Sequence, residues 1–97
     1  MGEPQVSIRH DDQGHSFVAE IDGADSGAFL KYRVVDDRTL DYFSTYTPNE
    51  MRGRGLAARI VTEALDYALE RQLRVVPSCP YVAKLIERND RYRSLID

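Results

Sequence analysis

Two stretches carry residue types and spacings suited to chemistry. The first is "VVPSCPYV", residues 75–82, which sets the only cysteine of the chain between two prolines, directly after an apolar run. Pro77 stops a strand, and Pro80 fits the first turn of a helix, where a missing N–H costs nothing. Cys79 is thereby held at a helix N-terminus, where the dipole favours thiolate over an unperturbed pKa of ~8.5. A thiol so placed can be a nucleophile; a lone cysteine after "RVV" can equally be a small buried hydrophobe. The second stretch is "MRGRGLAARIV", residues 51–61. Gly53 and Gly55 permit backbone angles and close approaches that a Cβ forbids. The N–H groups that open the following helix lack intrahelical partners and lie at the positive end of its dipole. Strand, glycine turn and helix N-terminus together form a phosphate cradle, and Arg52 and Arg54 add charge suited to phosphate oxygens. Taken alone, the same residues also describe an ordinary turn with solvated arginines.

The elements that must position these residues follow from periodicity. "QVSIRH", "HSFVAEID", "AFLKYRVV" and "TLDYFSTYT" read as four strands joined by the polar turns "DDQG", "GADSG" and "DDR", an antiparallel meander. Phe17, Ala19 and Ile21 form one face of the second strand, and Leu30, Tyr32 and Val34 one face of the third. In the fourth, strict alternation puts Tyr42 and Tyr46 on one face and Phe43 and Thr45 on the other. From Leu56 onward Ile60, Val61, Ala64, Leu65, Ala68 and Leu69 recur at helical spacing, predicting a helix over about Arg54 to Arg71. "LRVV" is a short strand, and Ser78 or Cys79 caps a second helix whose apolar stripe is Val82, Leu85 and Ile86. The tail "NDRYRSLID" reads as a loop with a last short turn. The order ββββαβα makes an α+β fold, helices packed on a mainly antiparallel sheet.

Ninety-seven residues suffice for one domain with a modest core. Nothing is long or apolar enough to span a bilayer, no charged-then-apolar leader opens the chain, and Val6 replaces the Ser or Thr that a myristoylation signal needs. One cysteine forms neither an internal disulfide nor a metal cluster, which suits a reducing cytoplasm. A net charge of −3 argues against nucleic acid as a partner. Its distribution is uneven: residues 1–50 carry four Lys/Arg against ten Asp/Glu, and residues 51–97 nine against six. Such asymmetry fits a polyanionic ligand on the C-terminal half, and chance accounts for it equally well. His10 and His15 flank a turn and read as solvated, and Asp11/Asp12 and Asp36/Asp37 as turn aspartates bonding their own backbone. No metal site and no Ser/His/Asp spacing is present.

Arg52, Gly55 and Ala57 fit the R/Q-x-x-G-x-G/A signature of the GNAT superfamily of acyl-CoA N-acetyltransferases. "TYTPNEMRGRGLAARIVTEALDYA" followed by "VVPSCPYVAKLIERNDRY" and a closing "LI" resembles the small stand-alone GNAT-like proteins, which lack the N-terminal helices of full-length enzymes. The resemblance is close over residues 40–96. It implies a minimal GNAT-like domain over residues 1–97, its sheet splayed at a coenzyme A site. Backbone groups of Thr45, Tyr46 and Thr47 would meet the pantetheine arm. Arg52, Gly53, Arg54, Gly55, Leu56 and Ala57 would hold the pyrophosphate, with Ser78, Cys79 and Tyr81 near the thiol end. The implied function is transfer of acetyl from acetyl-CoA to a small-molecule or protein amine, through Cys79 as acetyl carrier, by a cytoplasmic monomer. The alternative is a coenzyme A-binding or interaction module without turnover, because a GNAT acceptor groove is partly built by the helices that a short chain lacks. Two departures stand out. Many relatives have His where this chain has Ser44, and they often close the long helix with Gly where it has Gln72.

Overall fold

The computed structural model describes residues 3–96. Met1, Gly2 and Asp97, and with them the glycine of the lipidation motif, lie outside the described residues. The elements run β1 (Val6–Asp11), β2 (Ser16–Ile21), β3 (Ala24–Asp36), β4 (Thr39–Tyr46), α1 (Leu56–Glu70), β5 (Arg74–Val76) and α2 (Pro80–Arg88). Short 3₁₀ turns add Asn49–Met51 and Asp90–Leu95. The five strands form one sheet in sequence order, antiparallel from β1 to β4, with β5 parallel to β4. This is the mixed α+β fold that the element order predicts, and it agrees with the GNAT-like arrangement that the resemblance implies.

One layer of helices covers one face of the sheet. The stripe Leu56, Ile60, Val61, Ala64, Leu65 and Ala68 of α1 is buried against Phe17, Ala19, Leu30, Tyr32 and Tyr42 from the strands. Val82 and Ile86 of α2, with Tyr92 and Leu95 from the last 3₁₀ turn, complete this core. The tail is thus a packed element rather than a loose loop. A buried aliphatic or aromatic side chain contributes about 1.5–3 kcal/mol, so two such anchors suffice to dock it.

Three local expectations need correction. "GADSG" is not a five-residue turn: Ile21 pairs with Ala24, leaving Asp22 and Gly23 as a two-residue hairpin loop. Both residues have positive φ (51° and 84°), the geometry that matches strand twist. The remaining residues continue β3 through a bulge at Ser26–Gly27, where Gly27 takes φ 86°. Val34 is 53 % exposed rather than core. The 13 residues of β3 span about 43 Å at strand rise, against about 22 Å for the 15 of α1, so the strand outruns the helix layer. Finally, α1 starts at Leu56 rather than near Arg54, because Gly55, at φ 73°, is its N-cap.

The C-terminus of α1 closes without glycine. Leu73 N–H bonds Ala68 C=O at 2.9 Å and Gln72 N–H bonds Leu69 C=O at 3.1 Å, a Schellman pair. That geometry forces Gln72 to φ 57°, left-handed space that penalises a Cβ. Replacing Gln72 by Gly is expected to stabilise the protein by about 1 kcal/mol, a rise of roughly 4–8 °C in Tm for a chain of this size. Thermal unfolding of the two proteins checks it, and an unchanged or lower Tm counts against strain at this cap.

Candidate functional site

The site begins with an irregularity in β4. Lys31 pairs with Ser44, but the next residue, Tyr32, pairs with Tyr42, so Phe43 is an extra residue in the strand. A bulge of this kind shifts the alternation of everything beyond it. Tyr42 and Thr45 consequently both face the helices, while Phe43, Ser44 and Tyr46 face the open side of the sheet. The strict alternation expected from sequence, with Thr45 opposite to Tyr42, is overturned by this one residue.

Tyr42 fixes β4 in place. It is fully buried, and its hydroxyl donates to the Ala64 carbonyl of α1 at 2.6 Å. Burial pushes its phenol well above the ordinary value of 10, so it stays a neutral donor. Its own carbonyl accepts the Cys79 N–H at 3.0 Å. That bond is the last backbone–backbone link between β4 and the chain leaving β5. The β4–β5 ladder covers only Thr39–Asp41 against Arg74–Val76, and Pro77 then turns the chain away. Among the described residues, no strand pairs with residues 43–46 on this side, so the sheet splays open.

A groove of about 330 Å³ fills the splay. Thr45, Tyr46 and Thr47 form one wall and Tyr81 of α2 contributes to another. Arg52, Gly53 and Gly55 line it from the turn, Leu56 and Ala57 from the first turn of α1. Gly55 has no side chain with which to cap α1, and no acidic residue occupies the first helical turn. The first intrahelical bond is Arg59 N–H to Gly55 C=O, leaving the N–H groups of Leu56, Ala57 and Ala58 without helical partners. A Cβ at Gly53 or Gly55 would meet nothing within 4 Å, so φ values of 85° and 73°, rather than space, call for glycine here. Arg52 is oriented by a bond from Nε to the Thr47 carbonyl at 3.3 Å. Arg54 and Ser78 are exposed and do not line the groove. Met51 and Ala58 line it and were not anticipated. Ala58 was countable as the third residue with a free N–H once the helix start was known. Met51 follows from the 3₁₀ turn, which no pattern in the sequence announces.

Cys79 lies buried behind the Thr45 wall, as the N-cap of α2. Its sulfur is 3.5 Å from Thr45 Oγ1. Burial pushes the thiol up, but the Thr45 hydroxyl and the N–H groups of Val82, Tyr81 and Thr45 outweigh it, holding the thiol below its ordinary value. The first-turn donors of α2 favour the anion electrostatically without closing a side-chain cap bond. The residue is therefore both packed and acidified.

A sheet opened beside its parallel strand, with a glycine-led helix N-terminus facing the gap, defines the GNAT type of fold. Residues 16–95 match the family model described as GCN5-related N-acetyl-transferase, and the chain belongs to that family. It is 33 % identical over 89 residues to Protein NATD1 of Xenopus tropicalis, covering 90 % of this chain and 82 % of that one. Identity to Protein NATD1 of Homo sapiens is 31 % over 84 residues, covering 87 % and 74 %. The NMR solution structure of a GCN5-like protein from Staphylococcus aureus superposes with a TM-score of 0.70 at 22 % identity, over 94 % of this chain and 87 % of that one.

His10 is not the solvated turn residue expected from sequence. It stacks on Phe17 at 4.3 Å between centroids, meets Tyr67 of α1 edge-on at 4.5 Å, and bonds the Tyr32 hydroxyl through Nε2 at 2.6 Å. His15, though exposed, stacks on Tyr32 at 5.3 Å. Neither reaches the groove. Burial lowers the His10 pKa from 6.5, more than Asp12 raises it, and Arg71 lowers it further. Above the ordinary value both folded and unfolded states hold a neutral ring. Below it the unfolded chain takes the proton first, so stability falls as pH drops from about 6.5 toward the lower folded value. His10→Gln is expected to flatten this dependence and, by removing the stacked pairs, to cost about 1 kcal/mol at neutral pH. Thermal melts across that range test both parts, and an equally steep slope in the variant would exclude His10 as its source.

Proposed function

We propose that this protein is an acetyl-CoA-dependent N-acetyltransferase that carries acetyl on Cys79 before passing it to an amine. The observation that supports the reading best is the convergence of three things at one end of the sheet. Free helix N–H groups and an unpaired strand edge line the groove, and an acidified thiol is packed behind its Thr45 wall rather than lining it. The N–H groups of Leu56, Ala57 and Ala58, with Arg52, suit the pyrophosphate of the substrate. The edge of β4 beyond the bulge suits a pantetheine amide arm, which can hydrogen-bond as an added strand does. Tyr81 and Cys79 lie at the α2 end, where the thioester would come to rest.

In this reading the Cys79 thiolate attacks the acetyl carbonyl, an S–C bond forms, and the bond to the coenzyme sulfur breaks, releasing coenzyme A thiolate. A neutral amine then attacks the acetyl-Cys79 carbonyl; the C–N bond forms and the C–S bond breaks. The proton of the amine passes to solvent or to the coenzyme A thiolate, and Cys79 returns as thiolate. Ser44, at the position where related proteins often carry His, faces the open side of the sheet rather than the sulfur. A thiolate route suits a site without an imidazole base beside the sulfur. The acceptor is a small-molecule or protein amine, and the setting is a cytoplasmic one that keeps a lone thiol reduced. None of the described helices is long and apolar enough to cross a membrane.

Binding and chemistry separate in two experiments. Coenzyme A should raise Tm by mass action, by about 2.7 kcal/mol of stabilisation at a hundredfold excess over Kd. Gly55→Glu should abolish this rise, because it sets a negative charge at the helix N-terminus. Gly55→Ala carries the same backbone strain without the charge and should keep most of it. A rise retained in Gly55→Glu would move the phosphate site elsewhere. Incubation with acetyl-CoA followed by intact-mass measurement should then show one acetyl adduct in wild type and none in Cys79→Ala. A ligand-dependent Tm rise without any adduct would favour a coenzyme A-binding module without turnover by this route.

A further inference from the structure

The bulge that admits Phe43 has a chemical consequence at the sulfur. Without it, residue 45 would point to the open face with residue 43, and the Thr45 hydroxyl would lie on the side of the sheet away from Cys79. With it, the Thr45 hydroxyl approaches the sulfur to 3.5 Å across 34 positions of sequence. We propose that the side chain of Thr45 is a positioning residue that holds Cys79 as thiolate by donating its hydroxyl hydrogen to the sulfur. The inference rests on the reading of Cys79 as acetyl carrier and gives Thr45 a side-chain role separate from its backbone contact with pantetheine.

The neighbours of the sulfur make this assignment specific. From β4 they are the Thr45 hydroxyl and N–H; from α2, the N–H groups of Tyr81 and Val82. The largest contributions to its ionisation come from these neutral donors and from burial, not from a charged side chain. Reactive cysteines commonly owe their acidity to an adjacent cation, and this one has neutral donors instead. Three of the four are backbone groups that side-chain substitutions other than proline leave in place, so the contribution adjusted most simply is the hydroxyl. In the thiol form either atom can donate. On ionisation the sulfur loses its hydrogen to solvent and becomes acceptor only, and the hydroxyl keeps its proton and rotates to donate. The branched Thr45 side chain faces the helices opposite Leu30, which is fully buried, and this limits its rotamers.

The test is the thiol titration of the ligand-free protein, read from thiolate ultraviolet absorbance against Cys79→Ser as blank. Thr45→Val, which keeps the branched shape but removes the hydroxyl, should displace the inflection upward by about one pH unit. It should also slow alkylation by iodoacetamide roughly tenfold at neutral pH, the weight of one hydrogen bond to an ionised group. Thr45→Ser should restore both. A merely structural role for Thr45 would change the alkylation plateau at high pH, which reports access, and leave the absorbance inflection in place. An unmoved inflection in Thr45→Val, or no recovery in Thr45→Ser, overturns the proposal. If the inflection moves while wild type never gains an acetyl adduct, Thr45 stands as assigned and the acetyl-carrier reading falls. The reverse pattern separates them the other way.

Discussion

One residue, through its side chain and its backbone carbonyl, holds the working end of this molecule together. Tyr42 joins β4 to α1 through its hydroxyl and to the N-cap of α2 through its carbonyl. Neither bond is strong in net terms, about 0.5–1.5 kcal/mol each, but both are buried and leave no alternative partner. They therefore set geometry more than they add stability. Because the Tyr42 carbonyl is taken by Cys79 rather than by a continuing β5, the strand edge beyond it stays open. The groove is what remains when a parallel ladder is stopped after three pairs by Pro77. Opening and sulfur placement thus have one cause.

The lopsided charge of the chain acquires a structural explanation on one side only. The acidic excess of the first half lies largely in turns: Asp11 accepts from Gly14 N–H, Asp25 from Gly27, Asp36 from Arg38 and Asp22 from Gln5. These carboxylates shape the meander; the Asp36 carboxyl is lowered chiefly by the Arg38 N–H it accepts. They need not attract any cationic acceptor. On the other side, the first turn of α1 lacks the acidic residue that would compensate a free helix N-terminus, and Arg52 lies against it. A positive end left uncompensated in this way matters for a groove, because it costs stability unless an anion fills it.

Element order, the helix faces and the glycine turn were legible because each rests on a period or a breaker that the chain states locally. Pro77 and Pro80 bracket Cys79 in the sequence as they do in the fold. What was not legible depends on pairing between distant residues. Nothing within "DYFSTY" marks Phe43 as the extra residue; the bulge exists because Tyr32 and Tyr42 meet on the helix side while Lys31 and Ser44 meet on the other. The same limit hid the His10 cluster, whose members come from β1, β2, β3 and α1. Gln72 reversed the usual relation: the residue departs from the expected glycine, yet the backbone keeps the conformation that glycine would favour.

On the open face of the sheet, where no helix packs among the described residues, the strands' own side chains lie over the exposed rings. Val18, Phe29 and Phe43 point away from the core, an arrangement that would normally demand a cover. Instead Lys31 Nζ lies 5.3 Å from the centroid of Phe29, and Arg33 lies over Phe43 at 4.4 Å. Their aliphatic stems shield the rings while the charged ends stay in water, and each cation gains from the ring beneath it. Arg9, opposite Val18 in the register and paired with Glu20 at 3.0 Å, extends the same device to β1. Val18 is left only 8 % exposed with no helix above it. That face is thus covered in part by side chains of the strands themselves, while the two main helices of the described residues pack on the core and beside the groove.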